Sequence, residues 1–339
     1  MKLISFAVPC YNSEKYMDHC INSLLTGGDR VEIILINDGS TDRTGEIADK
    51  YREQYPDIIK VVHKENGGHG SGIMAGLANA EGLYYKVIDS DDWADEESLQ
   101  RILNLIESFA DKQELLDLIV CNYVYEHDDQ KPHTVHYRGI FPRERVFSWS
   151  ECGPFDITRY MIMHSVFYRT DLVKSSNLEI PLHTFYVDNV FLYSPLPLVN
   201  TIYYCDTDFY RYFIGRVDQS VNEKVMIKRV DQQIRVSKIL LEKHDLTEIR
   251  KTRPKLYRYM INYVSVMVLI SALLLTLEGS AESMNRLREY WKDIKQNHSD
   301  VYGHIRYRSL AGFYAYTNRF IRFFTIAGYR IIQKIYKFN

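Results

Sequence analysis

Three carboxylates crowd into four residues at Asp89-Ser-Asp-Asp92, directly after the apolar run Tyr84–Ile88. Like charges this close repel, and an acid cluster adds nothing to a hydrophobic core. Asp92 or Asp95 can cap a helix starting near Glu96, but one cap needs one carboxylate, not three. Hard oxygen ligands at a strand end suit Mg²⁺ or Mn²⁺, which would also relieve the repulsion. Mg²⁺ is usually held by one or two carboxylates together with substrate phosphates, so a metal-bound diphosphate is the reading the cluster favours.

Three further polar stretches follow apolar runs. Asn37-Asp-Gly-Ser-Thr-Asp42 reads as a turn, with Ser40 or Thr41 capping the next helix and Asp42 favourable to its dipole. That leaves Asp38 at the strand tip, where a carboxylate can accept from a base imide N–H or serve a purely structural role; both readings stay open. Asn66-Gly-Gly-His-Gly-Ser-Gly72 is a glycine-rich loop opening a helix, and its backbone N–H groups around Gly68 can meet an anion. His69, between glycines, joins that rim. Gly70-Ser-Gly-Ile-Met-Ala75 fits the G-x-G-x-x-A dinucleotide pattern, but it follows the third strand, whereas that fingerprint belongs to the first strand-to-helix turn. The fourth stretch is Pro9-Cys-Tyr-Asn12.

These tips need strands behind them. Apolar, β-branched runs occur at Leu3–Val8, Val31–Ile36, Ile58–Val62, Tyr84–Ile88 and Leu116–Cys121, with helical patterns at Glu14–Leu25, Thr41–Tyr55 and Asp95–Phe109 between them. Continuous apolar strands alternating with helices imply a parallel sheet covered on both faces and joined by right-handed crossovers. In such sheets ligands bind beyond the carboxyl ends of the strands, where all four tips converge. From Glu126 to about Asp218 the pattern is irregular and aromatic, with short strands such as Thr201–Cys205; after Glu223 it is helical.

With 339 residues the chain can bury one large domain or two, and its 46% hydrophobic and 25% charged shares are those of a globular protein. The net charge of −2 gives no field that would draw nucleic acid. Its beginning reads as a strand entering a turn rather than a signal peptide. Five scattered cysteines without a C-x-x-C pair argue against a zinc knuckle or disulfide framework and fit the cytosol.

The ordered stretches "VPCYNSEKYMDHCINSLL", "VEIILINDGSTDRT", "NGGHGSG" with "LANAEG", and "KVIDSDDW" resemble the family 2 glycosyltransferases of GT-A fold, strongly over residues 1–123 and more loosely through "FYVDNVFLYSPLPL" and "FYRYFIGRVDQS". The resemblance implies an α/β fold of GT-A type, a mainly parallel sheet flanked by helices, with the catalytic domain at 1–222 (nucleotide-sugar half 1–123, acceptor half 124–222) and a helical region at 223–339. By position, Pro9 and Tyr11 match residues lining the nucleotide base, Asp38 the carboxylate that reads uracil, and Asp89-Ser90-Asp91 the D-x-D motif, with Asp91 and Asp89 as metal ligands. Asp188 in Tyr186-Val-Asp-Asn189 falls where the family has its general base, although that motif is more often Glu-Asp. Arg216 and Ser220 fall in a loop that approaches the diphosphate. Many members carry Ala-Arg-Asn where this chain has Gly72-Ile-Met74, which leaves His69 or Lys86 to supply the missing donor.

The implied activity is inverting, metal-dependent transfer from a UDP-sugar to a hydroxyl of a saccharide or lipid-linked acceptor in surface polysaccharide or glycolipid synthesis. A nucleotidyltransferase, a dinucleotide-binding oxidoreductase and an inactive scaffold of the same shape are the alternatives. Met260–Leu277 carries no formal charge at a length near that of a membrane span, but Asn262, Ser265, Ser271 and Thr276 interrupt it, which favours a buried helix. From His304 to Asn339 there is no Asp or Glu, while Arg306, Arg308, Arg319, Arg322, Arg330, Lys334 and Lys337 interleave with ten aromatic residues. That mixture reads as a peripheral contact with the inner face of a membrane, with packing against its own domain or a second subunit as the other reading.

Overall fold

The computed structural model describes residues 1–127, 131–155, 157, 159–214 and 222–336. The chain forms two compact units, Met1–Ile214 and Gly215–Asn339. In the first, strands and helices alternate as β1 (Ile4–Cys10), α1 (Met17–Leu25), β2 (Val31–Asp38), α2 (Thr44–Gln54), β3 (Ile59–Lys64), α3 (His69–Asn79) and β4 (Tyr84–Val87). There follow β5 (Trp93–Ala94), α4 (Glu96–Ala110), β6 (Leu118–Val120), β7 (Tyr123–Glu126), β8 (His133–Val135), β9 (Val146–Phe147), β10 (Val166–Arg169), α5 (Thr170–Ser175), α6 (Asp188–Tyr193), β11 (Ile202–Tyr204) and β12 (Tyr210–Phe213).

The larger sheet runs β3-β2-β1-β4-β10-β6-β11-β9. Its β3, β2, β1 and β4 are mutually parallel, and β10 enters antiparallel between β4 and β6. Every residue of β1 is buried, as expected of a strand with helices on both faces. Because β2 lies on one side of β1 and β4 on the other, the order in which strands are added reverses at β1, and a crevice opens between the carboxyl ends of β1 and β4. The ladder between these two strands stops at Ala7–Val87, so the tips beyond it are free to diverge. A second sheet, β5-β12-β7-β8, gathers beside that end of the first.

Local chemistry accounts for the joins. Asp95 caps α4 by accepting from the Ser98 N–H at 3.0 Å, so the cap falls on the residue outside the triple-acid cluster. At the other end of the sheet buried Glu32 accepts from the Glu81 and Gly82 N–H groups and pairs with Lys60 at 2.8 Å, which fixes where β4 begins. Buried tyrosines act as clips: Tyr84 donates to the Leu116 carbonyl, Tyr85 to Ile73 and Tyr168 to Leu192.

The second unit is helical: α7 (Glu223–Lys228), α8 (Val230–Glu242), α9 (Leu246–Thr252), α10 (Pro254–Glu278), α11 (Ala281–Asn297), α12 (Ser299–Arg308) and α13 (Arg319–Tyr336). The uncharged stretch expected to be a buried helix is the centre of α10, which α8, α9, α11 and α12 surround. Three of the four polar residues interrupting it are accommodated within the helix itself: Ser265, Ser271 and Thr276 each donate to the carbonyl four residues back, while Asn262 meets His304 of α12.

The glycines of α3 are there for packing. A Cβ on Gly70 would meet Ile180 at 2.2 Å, and one on Gly72 would meet Pro9 at 2.8 Å. One on Gly76 would lie 2.4 Å from Ala7 Cβ. The run that imitates a dinucleotide fingerprint is therefore a packing surface, with Gly70 against Ile180, while Gly72 and the following Gly76 let α3 lie flat on β1. Gly76→Ala sets a helix-propensity gain of up to ~1 kcal/mol against an overpacking cost of ~1–3 kcal/mol. Since Ala7 belongs to the central strand and cannot yield, the cost should win and lower Tm by several degrees at about 2–4 °C per kcal/mol. A Tm equal to or above the wild type's in calorimetry would show that α3 can lift off the sheet.

Candidate active site

The crevice beyond β1 and β4 is built by side chains that tie the strand tips together. Asn12, at φ 52°, lets the chain turn after β1. Its Oδ1 accepts from the Thr41 N–H at 2.9 Å, and its own N–H donates to the Ser40 hydroxyl. The Ser13 N–H donates to Thr44 Oγ1 at 2.7 Å, and the Ser13 hydroxyl meets the Ser90 hydroxyl at 2.7 Å across the crevice. Ser90 is therefore buried in a strand-to-strand bridge.

Asp38 is buried and well occupied. Its carboxylate accepts from the Gly67 and Gly68 N–H groups at 3.0 and 2.8 Å and from Lys64 Nζ at 2.6 Å. The structural half of the two-way reading is thus visible: Asp38 shapes the glycine loop. Gly68 needs to be glycine, because its φ is +82° and a Cβ there would meet the His183 backbone at 3.1 Å. Its N–H is given to Asp38 rather than left open for an anion.

The acid cluster separates into three roles. His69, the first residue of α3, meets Asp89 with its Nε2 at 2.7 Å. Burial disfavours the charged imidazole, but the carboxylates of Asp89, Asp188 and Asp91 outweigh it and lift His69 above its ordinary value. Burial pushes Asp89 up, and His69, with His164 and Lys86, overcomes that to hold its carboxyl below the usual range. Asp92 is buried, accepting from the Tyr210 hydroxyl at 2.6 Å and the Phe213 N–H at 2.9 Å, so it clamps the β4 tip to β12. Burial and then the charges of Asp91 and Asp89 push it far upward, toward the neutral form. Asp91, between them, is half-buried.

Ligand atoms of Asp89, Asp92 and His164 lie within 4.8 Å of one another. Burial drives His164 down to about 3, so its ring is neutral at physiological pH. Its Nδ1 is buried without a hydrogen-bond partner, and the ring stacks on Tyr210 at 4.4 Å. A neutral imidazole with an unused ring nitrogen among carboxylate oxygens suits a divalent ion such as Mn²⁺. Sequence reading missed His164: within Met163-His-Ser-Val166 it looks like a core histidine, and no spacing links it to the acids.

Tyr11 stands on the rim at 55% exposure, with Pro9 buried behind it against α3. Asp188 opens α6, and the charge coupling between it and both His69 and Asp89 brings it to the same rim. Burial raises its carboxyl to about 6, against the pull of His69. Arg216 and Ser220 lie outside the described residues.

Lys86 has a different place from the one expected of it. It is wholly buried, beneath the rim rather than on it, and donates to the Met163 and His164 carbonyls at 3.0 and 2.6 Å. The rings of Tyr210, Phe167 and Phe209 surround its Nζ, and burial lowers it to about 7. It holds the turn that carries His164, and His69 is left as the cationic candidate at the acids. Lys86→Met should orphan two buried carbonyls and cost about 1–3 kcal/mol, read as a lower Tm. If Tm instead stays unchanged while ligand affinity is lost, the amine reaches the ligand after all.

The Glycosyl transferase family 2 model matches residues 5–169, from β1 to the end of β10. A Bacillus subtilis protein provisionally named glycosyltransferase EpsH is 24% identical over 310 residues, 86% of this chain and 81% of that one. Relatives of higher identity match over shorter stretches, and the chain spans 37% of one and 51% of another. Among solved structures, residues 1–349 of S. aureus TarS in complex with UDP-GlcNAc superpose with a TM-score of 0.62 at 18% identity, over 90% of this chain and 87% of that one. The mannosyltransferase PcManGT from Pyrobaculum calidifontis, in complex with GDP-Man and Mn²⁺, gives 0.52 at 13% identity over 89% and 84%. The likeness to these two structures shows a shared fold, which is the GT-A type.

Proposed function

We propose that this chain, whose residues 5–169 match the Glycosyl transferase family 2 model, moves a sugar from a UDP-sugar to an acceptor hydroxyl with inversion at the anomeric carbon. The observation that carries this reading is the meeting of Asp188, His69 and Asp89 at the β1/β4 crevice, with the Asp188 carboxyl raised to about 6. A base of that strength is ionised at neutral pH yet able to take a proton.

In this scheme the exposed Tyr11 ring stacks on the base, and the open acceptor position left on the Asp38 carboxylate receives its imide N–H. Asp89 and Asp91, the half-buried acids of the cluster, face the diphosphate and would hold Mn²⁺ or Mg²⁺, with His164 within ligand reach of Asp89. Such an ion supplies charge neutralisation for the leaving diphosphate. His69 keeps Asp89 ionised and oriented. Asp188 accepts the proton of the acceptor hydroxyl as its oxygen bonds to the anomeric carbon and the bond to the diphosphate breaks. One displacement without a sugar–enzyme bond inverts the centre, so an α-linked donor yields a β-linked product.

The TarS complex with UDP-GlcNAc supports a nucleotide-sugar donor, and we assign the transfer to surface polysaccharide synthesis. We place the acceptor, a saccharide or lipid-linked intermediate, at the cytoplasmic face of the cell membrane.

Asp91→Asn should remove the metal-dependent part of the thermal stabilisation given by UDP-sugars while leaving the ligand-free Tm in place. A variant stabilised as strongly as the wild type, or one indifferent to a chelator, would take Asp91 out of the metal set.

Asp188→Asn should lower kcat by about 10²–10⁴-fold with donor affinity near normal, since a base for the acceptor does not touch the nucleotide. Wild-type turnover should fall as pH drops through about 6, because the base must be ionised. Asp89 lies beside Asp188 as an acid that opposes its ionisation, and His69 as a cation that favours it. The variant should lose that acid limb. An unaltered limb in the Asn variant would move the base to another residue.

A further inference from the structure

The final helix of the second unit has two unlike faces. One is used up at home: Arg322 donates to the Gly279 carbonyl at 3.0 Å, the Thr325 carbonyl accepts from Tyr314, and Tyr329 and Arg330 both bond Glu223 at 2.8 Å. These positions repeat at three- and four-residue spacing and dock α13 on its own unit. The other face carries Phe320, Phe323 and Phe324, then Ala327 and Ile331, again at helical spacing. Phe320 is 74% exposed, Phe323 68%, Phe324 56% and Ile331 60%. The three phenylalanines together leave about two whole rings in water, on the order of 400 Å² at roughly 200 Å² per aromatic. Ile331 on the same face extends this beyond the few hundred Å² of contiguous apolar surface that soluble proteins ordinarily leave open.

The docking interactions also correct the simple picture of a basic tail. Arg330 is spent on Glu223, and Arg306 on the Gly312 carbonyl and the Tyr316 ring. Attraction to the surface falls to exposed cations such as Arg308 and to Arg319, one turn before Phe323 on the apolar face. No Asp or Glu occurs anywhere from His304 onward.

We propose that this face of α13 is a docking surface for an anionic lipid bilayer, lying in the plane of the interface with its phenylalanines in the headgroup and acyl boundary. A second copy of the chain would bring the same acid-free segment against it, cation facing cation, whereas anionic headgroups complement both the arginines and the rings. The helix is fixed by its inner face before any lipid arrives, so attachment needs no folding step.

The test is co-sedimentation of the full chain with vesicles of phosphatidylglycerol and phosphatidylcholine, beside vesicles of phosphatidylcholine alone, across a salt series. The wild type should bind the anionic vesicles at least tenfold more tightly than the neutral ones, and added salt should weaken binding as the Debye length shortens. The triple variant Phe320→Ser, Phe323→Ser, Phe324→Ser should lose at least tenfold in vesicle affinity while keeping Tm, because these rings face water. The inference stands apart from the transferase reading, so calorimetric UDP-sugar binding should be the same in both proteins. Binding by the triple variant equal to the wild type's, or no wild-type binding at any salt concentration, would overturn it. So would a wild type that sediments as a dimer, a triple variant that sediments as a monomer, and neither attached to vesicles, since the patch would then be covered by a second copy. Single variant Arg330→Gln supplies a control, because its partner is Glu223 and its loss should change vesicle affinity by less than threefold.

Discussion

Three carboxylates in four residues cannot all be charged, half-buried and unpartnered at the end of one strand, and the site is organised around that repulsion. The protein gives each acid a different environment. Asp89 keeps its charge because His69 lies against it. Asp92 is taken inward, where a tyrosine hydroxyl and a backbone amide satisfy its oxygens and burial favours its neutral form. Asp91 is left half-buried between them. The repulsion that makes the cluster costly in isolation is thereby turned into a division of labour. Most of what surrounds the crevice, including Tyr210, the turn carrying His164 and the Lys86 beneath it, serves to maintain that division.

The strands, the helices and the rim were legible because hydrophobic period and chain direction are local properties. Continuous apolar runs predict β1 through β4 to within two residues at most ends, and the order of strands puts the polar tips on one edge. What stayed hidden depends on partners far along the chain. Asp92 finds its donors at Tyr210 and Phe213, and Lys86 finds its acceptors at Met163 and His164. A lysine just ahead of an acid cluster reads as a rim cation only while the turn above it is unknown. The position of His164 between Met163 and Ser165 gave no sign of the acids it faces.

The glycine loop shows how one motif can be read through two different forces. Its freedom of backbone suggested an anion cradle, yet the structure uses the Gly67 and Gly68 N–H groups to neutralise Asp38 and the later glycines to admit β1 at close range. The anion held there is the protein's own carboxylate. Loop shape, helix position and the orientation of His69 at the start of α3 therefore follow from a single internal contact, and that side of the crevice inherits its rigidity from it.

The clamp on Asp92 has a consequence for how the protein is made. The segment through β4, with every acid of the cluster, is synthesised more than a hundred residues before the Tyr210 and Phe213 that receive Asp92. Contacts of such separation form late, since the loop they close costs entropy before anything rewards it. During translation at about 5–20 residues per second, the first half of the sheet would wait roughly 6–24 seconds with an unsatisfied carboxylate at its edge. A nascent chain of this kind can assemble its parallel strands early, but the crevice takes its final form only when β12 emerges. Completion of the first unit and closure of the crevice are then the same event.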